Sequence, residues 1–178
     1  MIDADGYRLN VGIILSNAEK KLFWGRRIGQ SSWQFPQGGI AENESPLEAM
    51  HRELEEEVGL TAEHVEVLGV TKNWLHYDLP ERYIRQNSHP LCIGQKQRWY
   101  LLKVDCNFSR FCFNTTTTPE FDAYRWVNYS TPEQEVVYFK RRVYERALKE
   151  LAPYLFPEGQ KVKKSRPRKT RYLRQHRR

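Results

Sequence analysis

A chain of 178 residues with 39% hydrophobic and 13% aromatic content carries enough apolar side chains for one buried core, which excludes wholesale disorder. Its net charge of +7 is unevenly placed: residues 157–178 hold ten Lys/Arg against the single acid Glu158, a balance of +9 that leaves −2 on residues 1–156. The body is near neutral, and the basicity that attracts nucleic acid belongs to the C-terminal end.

In chain order, β-branched and aromatic runs predict strands at Leu9–Leu15 and Lys21–Arg27. A helix follows, opened by Ser45 as N-cap, Pro46 at the first helical position and Glu48 as the capping-box acid, and closed by Gly59 after Val58. Gly38-Gly39 reads as a tight turn before it. Further strands are expected at Val65–Leu75, Gln97–Val104 and Ala123–Tyr129. Thr131-Pro132-Glu133-Gln134 repeats the capping device and opens a second helix running to about Leu155. Strands interleaved with helices make an α/β layered domain over residues 1–156. Residues 157–178 read as a disordered basic arm.

Cys92, Cys106 and Cys112 form neither a CxxC pair nor a zinc spacing, and are read as small buried hydrophobes in a reducing compartment. The first residues, MIDADGYRLN, lack a basic segment followed by an apolar one, so no signal peptide is read. No apolar run approaches the roughly 18–20 residues of a membrane span. A cytoplasmic protein without a membrane partner is expected.

The first helix concentrates acid: seven glutamates lie between Glu42 and Glu57. At about 100° per residue, with Glu53 at the origin, Glu56 falls near −60° and Glu57 near +40°. Met50, Leu54, Leu47 and Val58 fall between about 60° and 140°, a core-facing stripe. Glu48 caps, Glu55 points to water, and Glu53, Glu56 and Glu57 border the buried edge. Like charges at i,i+3 and i,i+4 cost a helix about 0.2–0.5 kcal/mol per pair. A hard divalent cation, Mg²⁺ or Mn²⁺, with oxygen ligands would offset that cost. On charge alone, an ordinary acidic surface helix, with Arg52 paired to Glu56, is the favoured reading.

Gly38, Glu44 and the run Arg52-Glu53-Leu54-x-Glu56-Glu57-x-Gly59-Leu60 together resemble a complete Nudix box, with nine specified positions over twenty-three residues. The resemblance implies an α/β/α sandwich with a mixed β-sheet and a loop–helix–loop. It also implies hydrolysis of a nucleoside diphosphate linked to another group. On the matching positions, Glu53, Glu56 and Glu57 are metal ligands, with Glu53 or Glu57 activating water. Arg52 orients the carboxylates, Glu44 plays a structural part, and Gly38, Gly39 and Gly59 shape the box. The stretches MIDADGYRLNVGI, SSWQFPQGGI, IGQKQRWYLL, TPEFDAYRWV and VVYFKRRVY are similar to the RNA pyrophosphohydrolase branch of that family over roughly residues 1–150. That branch acts on 5′-triphosphorylated RNA, promotes mRNA decay and is kin to the diadenosine polyphosphate hydrolases.

The resemblance further implies Glu120 as an additional metal ligand, Arg8 and Arg27 as RNA or phosphate contacts, and Lys140 as an ammonium reaching the polyphosphate. On the second helical wheel Lys140 lies inside an apolar arc made by Val137, Val143, Tyr144, Ala147, Leu148, Leu151 and Leu155. It is either a snorkelling lysine, a sign of a bend, or that phosphate contact. Phe139, at the stripe's edge, is either core or a ring offered to an unstacked base. Trp33 and Phe35 read as structural. The basic tail is either a solvated extension or a non-specific hold on RNA phosphates. No residue pattern specifies a protein activator. The rival activity is dinucleoside polyphosphate hydrolysis; a non-catalytic RNA-binding module is disfavoured by the intact box.

Overall fold

In the computed structural model, residues 1–105 and 111–157 are described. The basic arm and Cys106 lie outside them. The elements are β1 (Tyr7–Ser16), β2 (Leu22–Arg27), β3 (Trp33–Gln34), β4 (Gln37–Gly39), α1 (Pro46–Val58), β5 (Val65–Val70), β6 (Leu75–Asp78), β7 (Gly94–Val104), β8 (Phe121–Val127), α2 (Thr131–Glu135) and α3 (Arg141–Leu155). The strands form one mixed sheet with the path β3-β2-β1-β7-β5, while β4 pairs with β1, β6 with β7 and β8 with β2. Among the described residues, only the central β1–β7 pair is parallel.

Alternation along the central strands builds two cores. Val11, Ile13 and Leu15 of β1 and Tyr100 and Leu102 of β7 pack with Ala49, Met50, Leu54 and Val58 of α1. Ile14, Trp99 and Leu101 face the other way, against Tyr144, Ala147, Leu148 and Leu151 of α3. The sheet is thus the middle layer of an α/β/α sandwich. A Cβ at Gly12 would meet the Trp99 ring at 2.5 Å, so a glycine lets that indole lie flat on the strand. Phe35 stacks on Tyr144 at 5.2 Å, and its backbone N–H donates to the Tyr144 hydroxyl at 3.3 Å. That aromatic anchor fixes the segment between β3 and β4.

The caps of α1 follow from local chemistry. Ser45 and Glu48 form the reciprocal capping box, and Gly59 takes the left-handed conformation (φ 73°). The helix face is rotated from the sequence expectation: Leu47 is exposed, while Ala49 and Glu53 are buried with Met50, Leu54 and Val58. The buried face of α1 begins at Ala49.

Four further expectations are corrected. Gly38-Gly39 is not a turn; both residues are in β4, paired with Val11 and Asn10 of β1. The single strand expected over Val65–Leu75 is two, β5 and β6, which pair with different stretches of β7. Cys92 is partly exposed and Cys112 exposed, because Cys112 lies on a surface segment whose N–H caps α1 by donating to the Val58 carbonyl at 3.0 Å. The second helix is broken. Val136 (φ −63°, ψ 151°) and Val137 (φ −52°, ψ 140°) are extended, and a 3₁₀ turn, Tyr138–Lys140, precedes α3. The N-cap of α2 is Ser130, one residue before the threonine expected to cap the second helix.

Candidate active site

Along β1, Ser16 pairs with β2 while Asn10, Val11 and Gly12 pair with β4. Beside the half of β1 that pairs with β4, a cleft of about 590 Å³ opens, with Arg8 and Asn10 in its lining. Its lining includes Glu53 and Glu57 of α1, Gly38 and Gly39 of β4, and Arg27, Gln34 and Glu120 on one wall. Arg8, Tyr77, Tyr83, Phe139 and Lys140 also line it. Most of the residues singled out by the sequence therefore meet here. Arg52, Glu56, Glu44 and Gly59 do not line the cleft; the first three form the bracing beneath it.

Arg52 is the centre of that bracing. Its Nε and Nη2 hold Glu44 at 2.8 and 2.9 Å, Nη2 also reaches the Gly39 carbonyl at 2.8 Å, and Nη1 reaches Glu53 at 2.7 Å and Glu56 at 3.2 Å. The Arg52 hydrogen bonds hold the Glu44 carboxyl below its usual range, against burial. Glu44 in turn accepts from the Ala41 N–H at 2.8 Å, tying the loop before α1 to the helix.

The two glycines before the helix are required by what rests on them. A Cβ at Gly38 would lie 1.8 Å from Cδ of Glu53 and 2.0 Å from both of its oxygens. A Cβ at Gly39 would lie 2.6 Å from Nη2 of Arg8. One glycine cradles a carboxylate and its neighbour a guanidinium, each in contact with bare backbone.

Glu53 is buried, and desolvation pushes its carboxyl up, opposed by Arg52 and reinforced by Glu56 and Glu44. Glu57 is pushed well up, chiefly by burial and then by the charge of Glu53, although the Gln37 N–H donates to it at 3.0 Å. Both stand near the C-terminal end of α1, where the helix dipole also disfavours negative charge. A dication would reverse all three penalties, and an all-oxygen donor set suits a hard one. The cradle and this electrostatic pressure fit a hard divalent cation. Among the described residues, no three carboxylate, imidazole or thiol groups converge on one point. Glu56 turns to Arg52, and Glu120 accepts from Arg27 Nε at 2.8 Å.

Lys140 is brought to the cleft by the helix break. It is only 7% exposed, and its Nζ donates to Oε1 of Gln34 at 3.1 Å and of Gln37 at 3.2 Å. Burial, with Arg27 nearby, lowers it to about 8, against the pull of Glu120 and Glu57. Gln34, itself buried, uses its other amide end to donate to Glu120 at 3.1 Å. Gln34 and Gln37 are the residues that sequence reasoning missed. Their signal lay in QFPQGG: two glutamines flank a buried Phe and a Pro next to the box.

Phe139 is half-buried between Tyr77 (5.8 Å) and Tyr83 (5.7 Å). Trp33 lines the cleft with one face covered by Arg125 at 4.3 Å, while Phe35 is fully buried.

The NUDIX domain family matches residues 6–147, and the chain belongs to that family; it is a Nudix hydrolase. It is 58% identical over 168 residues to the RNA pyrophosphohydrolase of Thioalkalivibrio sulfidiphilus (strain HL-EbGR7), an alignment spanning 94% of this chain and 97% of that protein. The fold is similar to the E. coli dihydroneopterin triphosphate pyrophosphohydrolase, with a TM-score of 0.63 at 17% identity over 80% of this chain and 97% of that one. It is also similar to a C. elegans Ap4A hydrolase in a binary complex, with a TM-score of 0.61 at 15% identity over 83% and 97%. Among the described residues no helix is long and apolar enough to cross a membrane.

Proposed function

We propose that this chain is an RNA pyrophosphohydrolase: water hydrolyses the 5′-triphosphate of RNA, pyrophosphate leaves, and a 5′-monophosphate end remains that opens the transcript to decay. The observation that carries this reading is 58% identity spanning nearly the whole length of a protein of that name. The likeness to Ap4A hydrolase stands at 15% identity and speaks for the fold alone.

In this reading Glu53, Glu57 and Glu120, with Glu56 beside them, hold Mg²⁺ or Mn²⁺. When bound, the divalent ion neutralises polyphosphate charge and acidifies water. Glu53 or Glu57 takes the proton of the attacking water on a carboxylate oxygen. Arg52 holds Glu53 against the Gly38 backbone and so fixes where that oxygen stands. Lys140, Arg27 and Arg8 present cations to the phosphoryl oxygens, where fixed charge stabilises the transition state. The Arg27 guanidinium suits bidentate contact. Phe139 offers its ring to an unpaired base near the 5′ end. The +9 segment 157–178 adds non-specific phosphate contacts in the cytoplasm.

Rates on 5′-triphosphorylated RNA and on diadenosine tetraphosphate, measured side by side, test the reading. RNA is expected to be the better substrate; a preference for the dinucleotide overturns it. Truncation after Pro157 is expected to weaken RNA binding and flatten its salt dependence.

A further inference from the structure

Two of the exposed large hydrophobic side chains stand at one place, against Phe139. Tyr83 is 52% exposed and Tyr138 is 61% exposed. Tyr83 packs on Phe139 at 5.7 Å and 46°, and Tyr138 packs on it edge-on at 5.4 Å and 87°. The Arg82 guanidinium lies over the Tyr83 ring at 5.0 Å. Tyr83 and Phe139 belong to the cleft lining, whereas the Tyr138 side chain, between Val137 and Phe139 in the chain, is outside it and exposed, so the aromatic surface continues from the cleft to the exterior.

Resting on the proposed activity, we infer that Tyr83 and Tyr138 form a stacking rail for the unpaired nucleotides that follow the 5′ end of the RNA. A triphosphate held beside Lys140 sends its nucleotide chain past Phe139, the next residue, and then onto these two rings. Aromatic faces accept any base, because every base has a π-face, and they act without reading sequence. Arg82 adds a cation for the backbone phosphates beside the Tyr83 ring. Tyrosine suits the place because its hydroxyl stays in water while its ring remains available. A dinucleoside polyphosphate, or a nucleotide alone, is too short to use the rail. It therefore favours RNA over those substrates, and single-stranded 5′ ends over paired ones.

The test uses the full chain and its Tyr83→Ala, Tyr138→Ala and doubly substituted forms. KM and kcat are measured for a 5′-triphosphorylated dinucleotide and for a longer single strand. Each lost stack is expected to raise KM for the longer strand about tenfold; in Tyr138→Ala, whose side chain is outside the cleft lining, kcat and the dinucleotide values should stay near those of the parent. Tyr→Phe at both positions should restore the parent KM. Unchanged KM on the longer strand overturns the rail, and so does an equal loss on both substrates, which would mark damage to the cleft. Affinity for a 5′-monophosphorylated single strand needs no turnover and is read in parallel. If that affinity falls in the Ala variants while no triphosphorylated RNA is cleaved by the parent chain, the rail stands and the proposed activity fails.

Discussion

Replacing Gly38 by alanine is the sharpest single perturbation of the site. The new Cβ would stand 1.8 Å from the Glu53 carboxyl carbon, so the carboxylate must retreat by about 1.6 Å to regain an ordinary 3.4 Å contact. The clash is with the far end of a side chain, so the fold can relieve it by moving that end. The stability loss should be about 1 kcal/mol, at the low end for overpacking. For a chain of this size that lowers Tm by about 2–4 °C. Catalysis has no such slack, since a displacement of about 1 Å at a reacting group costs on the order of 100-fold in rate. Gly38→Ala is therefore expected to reduce kcat on 5′-triphosphorylated RNA by about 100-fold while a thermal melt barely moves. Gly39→Ala is the comparison: its Cβ displaces the exposed Arg8 guanidinium instead, which is free to shift in solvent, so kcat should fall by much less than in Gly38→Ala. Full kcat in Gly38→Ala, or a loss explained by unfolding, would refute the idea that Glu53 must rest on that backbone.

The helix break and the glutamine pair give two further predictions. Lys140, lowered to about 8, carries its charge only below that pH. The kcat/KM of the free enzyme should fall as pH rises through about 8, and Lys140→Arg should remove that limb because guanidinium stays protonated; a profile that Lys140→Arg leaves unchanged rejects the assignment. For stability the sign is opposite: the folded value lies below the ordinary 10.5, so the unfolded chain binds more protons between the two. Stability from this group then rises from about pH 8 to 10.5, and chemical denaturation of Lys140→Met should lack that rise. Gln34→Leu fills similar volume but removes the bridge between Lys140 and Glu120, so kcat should drop by about tenfold with little change in melting; parent-level kcat would make Gln34 a packing residue only.

What the sequence disclosed tracks how local the cause is. The caps of α1 were legible because Ser45, Glu48 and Gly59 act within a few residues of one another. The main strands were legible because their β-branched runs must face a core, and the family resemblance fixed the α/β/α order. β3 and β4 are two and three residues long and leave no periodic trace. The break at Val136–Val137 carries no Gly or Pro, so nothing local announces it; burying Val136 and bringing Lys140 to Gln34 and Gln37 is a tertiary effect. Gly38 and Gly39 were noticed for conformational freedom, yet their function is clearance for Glu53 and Arg8, side chains fifteen and thirty-one residues away. A wheel could place Glu53 at the edge of the core, but it could not show that Arg52 and a bare strand would hold its carboxylate there.

The most direct measurement follows the products of 5′-triphosphorylated RNA incubated with the full chain and with Glu53→Ala, in Mg²⁺ and separately in Mn²⁺. The parent chain should release pyrophosphate and leave 5′-monophosphorylated RNA. Glu53→Ala, with its melt intact, should release none. Substantial turnover by Glu53→Ala in either metal, or no pyrophosphate from the parent chain, would contradict the account.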